Sequence, residues 1–333
     1  MELNFNGKNT KVQQLSDYLQ DSISANELKV GDELPSINFL SQKFHVSRDT
    51  VFKAFKILKK KGLIDSIHGK SYFVTKNTSN ILLLLDEYTP FKESLYNTLI
   101  KKLPLSYKVD LWFHQYNKTL FNSIIKDAYG RYNKYLVMNY ENDVLSPLLK
   151  QIDPDRLLLL DFGKFEKSEY SYICQDFDEG FYNALASVKD QLSKYRKLIF
   201  ILNKQHKHPQ SSKEYFSRFC YDYGFPSEIL DEVPESISEK CCYIIIKQMD
   251  VVEIIKRGKE QNLLMGTDFG LIAYNENPFY EIIGDGIPSF SIDFNLMGSL
   301  AADFVLTGEK IQQYLPTRVY RQNSIWTDTI KIY

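Results

Sequence analysis

The feature that most constrains this chain is a pair of helix patterns between residues 36 and 61, separated by a tight break. Ser47, a residue favoured at helix N-caps, opens the second pattern. Its apolar residues recur at i, i+3, i+4 and i+7 and therefore share one face: Val51, Ala54, Phe55 and Leu58. The opposite face carries Arg48, Phe52, Lys53, Lys56 and Lys60. A helix with one apolar and one cationic face, placed after a short helix, is typical of a helix-turn-helix module that enters a DNA major groove.

The flanking segments extend this pattern on both sides. Upstream, Pro35 ends a turn and Ser36 is placed to cap the first short helix. Downstream, Gly62 ends the second helix, and two short β patterns flank the tripeptide 68–70, His-Gly-Lys. These β patterns predict a hairpin, or wing. An amphipathic helix pattern over Val12 to Ser24 precedes the whole module.

The ordered motifs Gly-Asp-x-Leu-Pro-Ser, Val-Ser-Arg-x-Thr-Val and Gly-Leu-Ile, followed by a glycine-tipped wing, resemble the GntR family of bacterial winged-helix transcription regulators. The resemblance covers about residues 10–75 and implies a DNA-binding domain over residues 1–76. It implies phosphate contacts from Ser36, Ser47 and Thr50 and a base-edge contact from Arg48. The wing residues His68, Gly69 and Lys70 are expected to reach the minor groove.

Three positions depart from the family pattern. Asn38 and Phe52 stand where the family often has Arg, and Ser71 replaces the usual second glycine of the wing. Asn38 can still hydrogen-bond a base edge or a phosphate, and Lys53 or Lys56 can supply charge nearby. Which bases are read therefore stays open.

Charge is unevenly distributed along the 333-residue chain. The whole chain has 41 Lys and Arg against 42 Asp and Glu. Residues 1–76 carry 12 basic and 8 acidic side chains, whereas the remainder carries 29 basic and 34 acidic ones. A cationic end on an otherwise anionic protein suits a nucleic-acid-binding domain, because phosphate attraction supplies most non-specific affinity.

The cysteines and the apolar runs bear on compartment. The four cysteines have no metal-like spacing, and Cys241 and Cys242 lie in an apolar run that predicts a buried strand. No apolar run approaches the ~18 residues that a membrane span needs. We therefore expect a reduced, cytoplasmic protein without a membrane partner. The segment His206-Lys207-His208 lacks acidic or thiol partners at ligand spacing, which predicts a surface loop and no metal site.

Beyond a short polar linker at residues 77–80, the pattern changes to alternating strands and helices. Continuous apolar runs such as 81–85, 157–160 and 198–202 suit strands that are buried on both faces of a parallel sheet. Their regular alternation with helical segments predicts parallel α/β layers, and two successive series suggest two lobes. The predicted fold class is thus α/β: a winged helix-turn-helix followed by a two-lobed domain over residues 81–333.

The order of motifs at strand ends, from Gln175-Asp176-Phe177 through Met265-Gly266-Thr267-Asp268 to Met297-Gly298-Ser299, resembles the sugar-sensing domain of LacI/GalR regulators. That domain is itself similar to periplasmic sugar-binding proteins. The resemblance implies three chain crossings between lobes, which we expect near Gln175, near Gly284 to Gly286 and near Gln312 to Arg318. A GntR-type head on such a body resembles the arabinose-repressor subgroup.

Several polar residues directly follow predicted strands, where open α/β sheets bind ligands. The predicted effector-binding residues of this kind are Asp86, Asn139, Asp161, Asp176 and Asp268. Carboxylates and amides suit sugar hydroxyls, and the aromatic residues placed to cover a sugar ring are Tyr88, Phe91, Phe177 and Phe269. The resemblance further places Asp176 and Asp268 on effector-binding positions, and Lys213 near a position where the family often has a sugar-binding Arg.

Two classes of function remain open. The favoured one is a homodimeric transcription regulator, a repressor of a sugar-utilisation operon, that binds double-stranded operator DNA and a neutral monosaccharide of the arabinose or fucose class. The alternative is a sugar-binding or sugar-processing α/β enzyme with a basic tethering head. No phosphate loop, nucleophile elbow or His-Glu-x-x-His motif occurs, so no catalytic residue, metal or cofactor is expected. The sequence chooses neither the sugar nor the direction of the response.

Overall fold

The computed structural model describes residue 5 and residues 9–25, 27–67, 71–75, 79–105, 107–141 and 144–326. The head consists of three helices and a two-stranded antiparallel sheet: α1 (Lys11–Ser24), α2 (Ile37–Lys43), α3 (Arg48–Lys60), β1 (Ile64–Ile67) and β2 (Ser71–Val74). The N-caps of α1, α2 and α3 are Thr10, Ser36 and Ser47, and each side chain accepts a backbone amide hydrogen bond. The predicted helices and hairpin are confirmed.

The first lobe follows at once, because its first strand begins at Ser79, inside the predicted linker. Its elements up to the first crossing are β3 (Ser79–Leu85), α4 (Pro90–Lys102), β4 (Tyr107–Phe113), α5 (Lys118–Ala128), β5 (Lys134–Met138), β6 (Leu157–Leu160) and β7 (Ser171–Gln175). Every pairing among these strands is parallel. The residues of β6 are buried throughout, as expected for a parallel sheet that is covered on both faces.

The second lobe repeats this plan, and the chain then returns through both lobes. The remaining elements are α6 (Glu179–Ala186), α7 (Lys189–Leu192), β8 (Lys197–Ile201), α8 (Ser212–Tyr223), β9 (Ser227–Leu230), β10 (Cys241–Ile245), α9 (Gln248–Glu260), β11 (Gly270–Tyr274), β12 (Ser289–Ser291), α10 (Phe294–Thr307), β13 (Gln312–Leu315), β14 (Arg318–Tyr320) and α11 (Asn323–Trp326). The sheet orders are β13-β7-β6-β5-β3-β4 in the first lobe and β14-β12-β11-β10-β8-β9 in the second. Only the β12–β14 pairing departs from the parallel arrangement among these described strands.

The chain crosses between lobes three times. The first crossing follows Gln175 and the third lies between Leu315 and Arg318, as predicted. The prediction for the second crossing was wrong: residues 284–286 precede β12, which still belongs to the second sheet, and the chain leaves that lobe only after Ser291. The glycines there mark a turn, with Gly284 and Gly286 at φ of 59° and 88°, and this turn was misread as a crossing.

Helix α10 belongs to the first lobe although second-lobe strands precede it in the chain. Its residues Met297, Ala301 and Phe304 join the core that α4 and β3 also form. Gly298 allows the close approach of α4, because a Cβ atom there would lie 2.4 Å from the Leu95 carbonyl oxygen. Among the described residues, no helix combines the length and apolarity needed to cross a membrane.

We expect Gly298→Ala to lower the free energy of unfolding by about 1–3 kcal/mol, because the added methyl group collides with the α4 backbone. Urea unfolding followed by circular dichroism measures this change. Leu306→Ala on the same helix, where Leu306 is partly exposed, is the control and should cost about 0.5 kcal/mol or less. Equal effects of the two changes would contradict the packing argument.

Candidate functional site: nucleic-acid interface and interlobe cleft

The head presents a cationic helix face to solvent. Val51, Ala54, Phe55 and Leu58 of α3 are buried in the head core. The opposite face exposes Arg48, Phe52, Lys53, Lys56 and Lys60. Helix α3 therefore divides into the two faces that its sequence predicts, with the cationic one free for a partner.

Charge on this face is partly neutralised inside the head. Lys53 pairs with Asp49 at 2.7 Å, and Lys59 pairs with Asp65 of β1 at 2.7 Å. Lys56 instead lies over the Phe52 ring, with its Nζ 4.9 Å from the ring centroid. In the described part of the chain, Arg48 and Lys60 form no ion pair, so they are the unpaired cations at the two ends of the helix.

The predicted phosphate-contacting residues are located at helix N-termini. Ser36 Oγ accepts from the Phe39 amide and Ser47 Oγ from the Thr50 amide, each at 3.1 Å. Ser47 Oγ also lies 2.8 Å from Thr50 Oγ1. These N-termini present backbone N–H groups and positive dipole ends that suit phosphate oxygens. Asn38 is exposed in the first turn of α2. The wing-tip residues His68, Gly69 and Lys70 lie outside the described residues.

A second candidate site is a cleft of about 420 Å³ between the two lobes. It lies at the carboxyl ends of the strands of both sheets, where open α/β sheets bind ligands. Its lining includes residues that directly follow β3, β5, β6, β10 and β11, namely Asp86, Asn139, Asp161, Ile246 and Asn275. A volume of this size suits a small ligand.

Several buried polar atoms around this cleft have no hydrogen-bond partner among the described residues. They include Thr89 Oγ1, Gln175 Oε1, Gln248 Nε2 and Asn275 Oδ1. A buried polar atom left without a partner costs about 1–3 kcal/mol. Together these atoms offer two acceptors, one donor and one hydroxyl that can do either. This set is complementary to a ligand rich in hydroxyl groups.

The Asp86 carboxylate is the centre of a neutral polar cluster at one side of the cleft. It pairs with the Lys92 ammonium, and both side chains are almost fully buried. Tyr116 donates its hydroxyl to Asp86 Oδ2 at 2.7 Å, and burial beside this carboxylate raises the pKa of Tyr116. Because Asp86 already accepts these hydrogen bonds, its free capacity for a ligand is small. The Lys92 ammonium stays available as a donor.

Asp161 has a different environment. It accepts from the backbone amide and from Nε2 of Gln175, the latter at 2.8 Å. Burial is the largest effect on it and raises the pKa of Asp161 to about 6, while the Gln175 side chain acts in the opposite direction. Its φ of 56° is a left-handed conformation that Asp and Asn tolerate better than most residues.

Six predicted effector-binding residues lie along the cleft: Asp86, Tyr88, Phe91, Asn139, Asp161 and Phe177. Tyr88 is 60% exposed at the cleft mouth and donates its hydroxyl to Glu93. Phe91 also packs on Phe294, with ring centroids 4.7 Å apart. Their role in ligand binding stays a prediction.

Three predicted effector-binding residues lie elsewhere. Asp176 follows β7 but turns to Lys164, with a 2.9 Å ion pair, and Lys213 of α8 pairs with Asp231 at 3.4 Å. Asp268 lies at the opposite, amino end of its strand, because the run Leu263 to Met265 forms only an isolated bridge at Met265, residues 266–268 are a turn, and the strand is Gly270–Tyr274. Asp268 Oδ2 accepts from the Leu264 amide and holds this turn. The prediction that all five strand-end residues converge on the cleft was therefore wrong for Asp176 and Asp268.

The cleft also contains residues that sequence reasoning missed. Gln175 is the last residue of β7, Asn275 directly follows β11, and Lys247 lies two residues beyond β10, so correct strand ends would have found them. His206 and His208 also line the cleft, although their segment was predicted to be a surface loop. His208 is buried and its Nε2 lies 2.8 Å from Ser212 Oγ. Burial lowers its pKa to about 3, so the ring is neutral.

Comparison with known proteins identifies the head. The model of the family "Bacterial regulatory proteins, gntR family" matches residues 11–74. Residues 11–74 form a GntR-family helix-turn-helix domain. The uncharacterized HTH-type transcriptional regulator YydK of Bacillus subtilis is 32% identical over 85 residues, which are 26% of this chain and 36% of that protein. The mannosyl-D-glycerate transport/metabolism system repressor MngR of Escherichia coli is 34% identical over 82 residues, 25% of this chain and 33% of that protein.

The chain spans about a third of the length of both relatives. The body is similar to other solved structures. A LacI family transcriptional regulator from Lactobacillus casei with bound glucose has a TM-score of 0.59 at 15% identity. The match covers 74% of this chain and 99% of the Lactobacillus casei chain. The trehalose repressor from Escherichia coli has a TM-score of 0.59 at 12% identity, with coverages of 73% and 100%. The two-lobed fold of the body is thus that of LacI-type regulators.

We expect Asp161→Asn to stabilise the unliganded protein above pH 6 by about 2–3 kcal/mol. The folded state raises the pKa of Asp161 to about 6 from the unfolded value of 3.8, so ionisation opposes folding. The stability that protonated Asp161 contributes is therefore lost as pH rises from about 4 to 6. The asparagine variant does not ionise and keeps its stability over this range. Urea unfolding at pH 4.5 and 7.5 measures the difference, which should shrink at the lower pH. A difference in unfolding free energy that is the same at both pH values would contradict this effect of Asp161 ionisation.

Proposed function

We propose that this chain is a homodimeric transcription regulator, acting as a repressor of a sugar-utilisation operon, whose operator affinity is set by a neutral monosaccharide in the interlobe cleft. The proposal rests on two features that occur in the same chain. The GntR-family domain exposes a cationic helix face, and the interlobe cleft is lined by buried polar atoms that have no hydrogen-bond partner among the described residues. The first part suits DNA phosphates and base edges, and the second suits hydroxyl groups.

The chemistry of the cleft supports an uncharged ligand. Among the described lining residues there is no arginine, the side chain that most often holds a carboxylate or phosphate in a bidentate manner. The buried cation Lys92 is already neutralised by Asp86. Tyr88 and Phe177 supply aromatic surface for the apolar face of a sugar ring. A pentose or deoxyhexose of the arabinose or fucose class fits these features, and calorimetry with a panel of sugars, sugar phosphates and nucleosides tests the class.

The rival function is a sugar-processing enzyme with a basic tethering head. A specific observation favours it: Asp161 is a half-buried carboxyl group with a raised pKa, as general acids often are. Against it, the Asp86 carboxylate is held by Lys92 and Tyr116 and is poorly placed to act as a base. Chromatography of sugars incubated with the protein distinguishes the two functions, because a regulator should leave every sugar chemically unchanged.

A second copy of the chain would place two GntR-family domains on successive major grooves of a pseudo-palindromic operator. Exposed apolar residues on the second lobe are consistent with such a partner: Phe279 is 62% exposed and Ile282 is 77% exposed on one short 3₁₀ helix. Sedimentation of the purified protein tests dimer formation, and Ile282→Asp should weaken the dimer if this surface contributes to it.

Replacing Arg48 by Ala should relax base discrimination by about 1–3 kcal/mol at one position per half-site, because Arg48 is exposed at the start of α3 without an ion-pair partner. Lys53→Ala should instead weaken binding to all sequences, since Lys53 provides charge only. Binding to a library of operator variants at fixed salt measures both. If the unaltered protein shows no salt-sensitive DNA binding, the regulator function is refuted.

Replacing Thr89 by Val should lower sugar affinity about tenfold without lowering stability, because it removes a buried hydroxyl that has no partner in the unliganded cleft. Ser146→Ala is the matched control: its hydroxyl is also buried and unpartnered but lies outside the cleft. Asp268→Ala should likewise leave sugar affinity unchanged. Calorimetry on all three variants decides, and a loss of affinity with Asp268→Ala would show that the cleft is misplaced.

A further inference from the structure

The head contacts the first lobe through a buried charge cluster. Arg156, the residue immediately before β6, reaches two carboxylates of α1, with Nη1 3.2 Å from Asp17 and Nη2 3.0 Å from Asp21. The side chains of Arg156 and Asp17 are only 12% and 10% exposed. An ion pair with this burial is weakly screened by salt, unlike the exposed pairs of α3.

Polar contacts beside the cluster extend the same interface. Asn133, just before β5, donates its Nδ2 to Asp21 Oδ1 at 3.4 Å, while its Oδ1 accepts from the Asn80 amide of β3. Tyr129 donates its hydroxyl to Oδ1 of Asn9 at 2.6 Å, and Asn9 lies two residues before the start of α1. The head is therefore held to the body by these side-chain contacts as well as by the covalent chain.

The interface and the cleft lie at opposite ends of the same three strands. Asn80, Asn133 and Arg156 stand at or before the amino ends of β3, β5 and β6. The residues that follow the carboxyl ends of these strands all line the cleft: Asp86, Asn139 and Asp161. Each strand is buried and paired with its neighbour in a rigid parallel sheet. A change at the cleft end can thus move the head interface as one body with the sheet.

We propose that the cluster of Asp17, Asp21 and Arg156 is an intramolecular latch that holds the head in a fixed position on the first lobe, so that movement of this lobe is passed to the head. The latch uses α1 only. It leaves the cationic face of α3 exposed, and the latched head is therefore oriented for DNA and not masked from it. In a dimer, two latched heads would have a defined spacing, which lowers the entropy lost on binding two half-sites at once.

Arg156→Met in the full-length chain tests the latch in two ways. Without DNA, small-angle X-ray scattering should report a larger radius of gyration, and hydrogen exchange should rise in α1 near Asp17 and Asp21. With DNA, affinity for a two-half-site operator should fall about tenfold, whereas affinity for a single half-site should stay the same. Arg156→Lys, which retains the charge, should restore part of both properties.

Two further variants keep the test decisive. Asp21→Asn, at a half-exposed side chain, provides a milder release if Arg156→Met does not fold. Arg218→Met removes an arginine that pairs with Glu179 at 2.8 Å within the second lobe, and it should change neither the scattering nor the operator affinity. Unaltered head position in Asp21→Asn and Arg156→Met would overturn the latch.

The latch goes beyond the proposed function, and the two can fail separately. If the unaltered chain binds no DNA but Arg156→Met still expands it, the proposed function is wrong and the latch stands. If the chain binds its operator and Arg156→Met leaves head position and two-half-site affinity unchanged, the latch is wrong and the regulator function stands.

Discussion

The architecture of the body depends on burying parallel strands on both faces. Runs such as Ile81 to Leu85 and Leu157 to Leu160 have no polar face, so helices must cover both sides of each sheet. Parallel strands place all their carboxyl ends at one edge and all their amino ends at the other. Polar residues excluded from the strands accumulate at these edges. The cleft occupies the first edge of the first lobe and α1 of the GntR-family domain contacts the second, so the cleft and the head interface lie at opposite edges of one sheet.

Sequence reasoning succeeded where local patterns determine local structure. The caps Ser36 and Ser47, the faces of α3 and the hairpin follow from spacing and from short-range hydrogen bonds. It failed where two apolar segments compete to be a strand. Leu263 to Met265 and Leu271 to Tyr274 are both apolar, and only pairing with β10 selects the latter. Because the strand was placed a few residues too early, Asp268 was predicted to follow it, whereas Asn275 does and Asp268 precedes it.

Long-range contacts explain the remaining differences. Asp176 follows a strand as Asp161 does, but Lys164 draws it away from the cleft. The histidine segment lacks any sequence signal of burial, and only packing against Phe177 and Tyr274 encloses His208. Arg156 is an ordinary residue between Asp155 and Leu157 in the sequence. Its role at the head interface depends on carboxylates more than 130 positions away in the chain, which no local pattern encodes.

The position of α10 has a consequence for the order in which the protein is made. The GntR-family domain, with its own core, is complete within the first 75 residues and can fold while synthesis continues. The first lobe cannot, because α10 and β13 complete its core and the edge of its sheet from residues 294–315. Until these emerge, the apolar face of α4 and the edge of β7 remain uncovered on the nascent chain. A ribosome that stalls between β12 and α10 would therefore hold a finished DNA-binding head attached to an unfinished body.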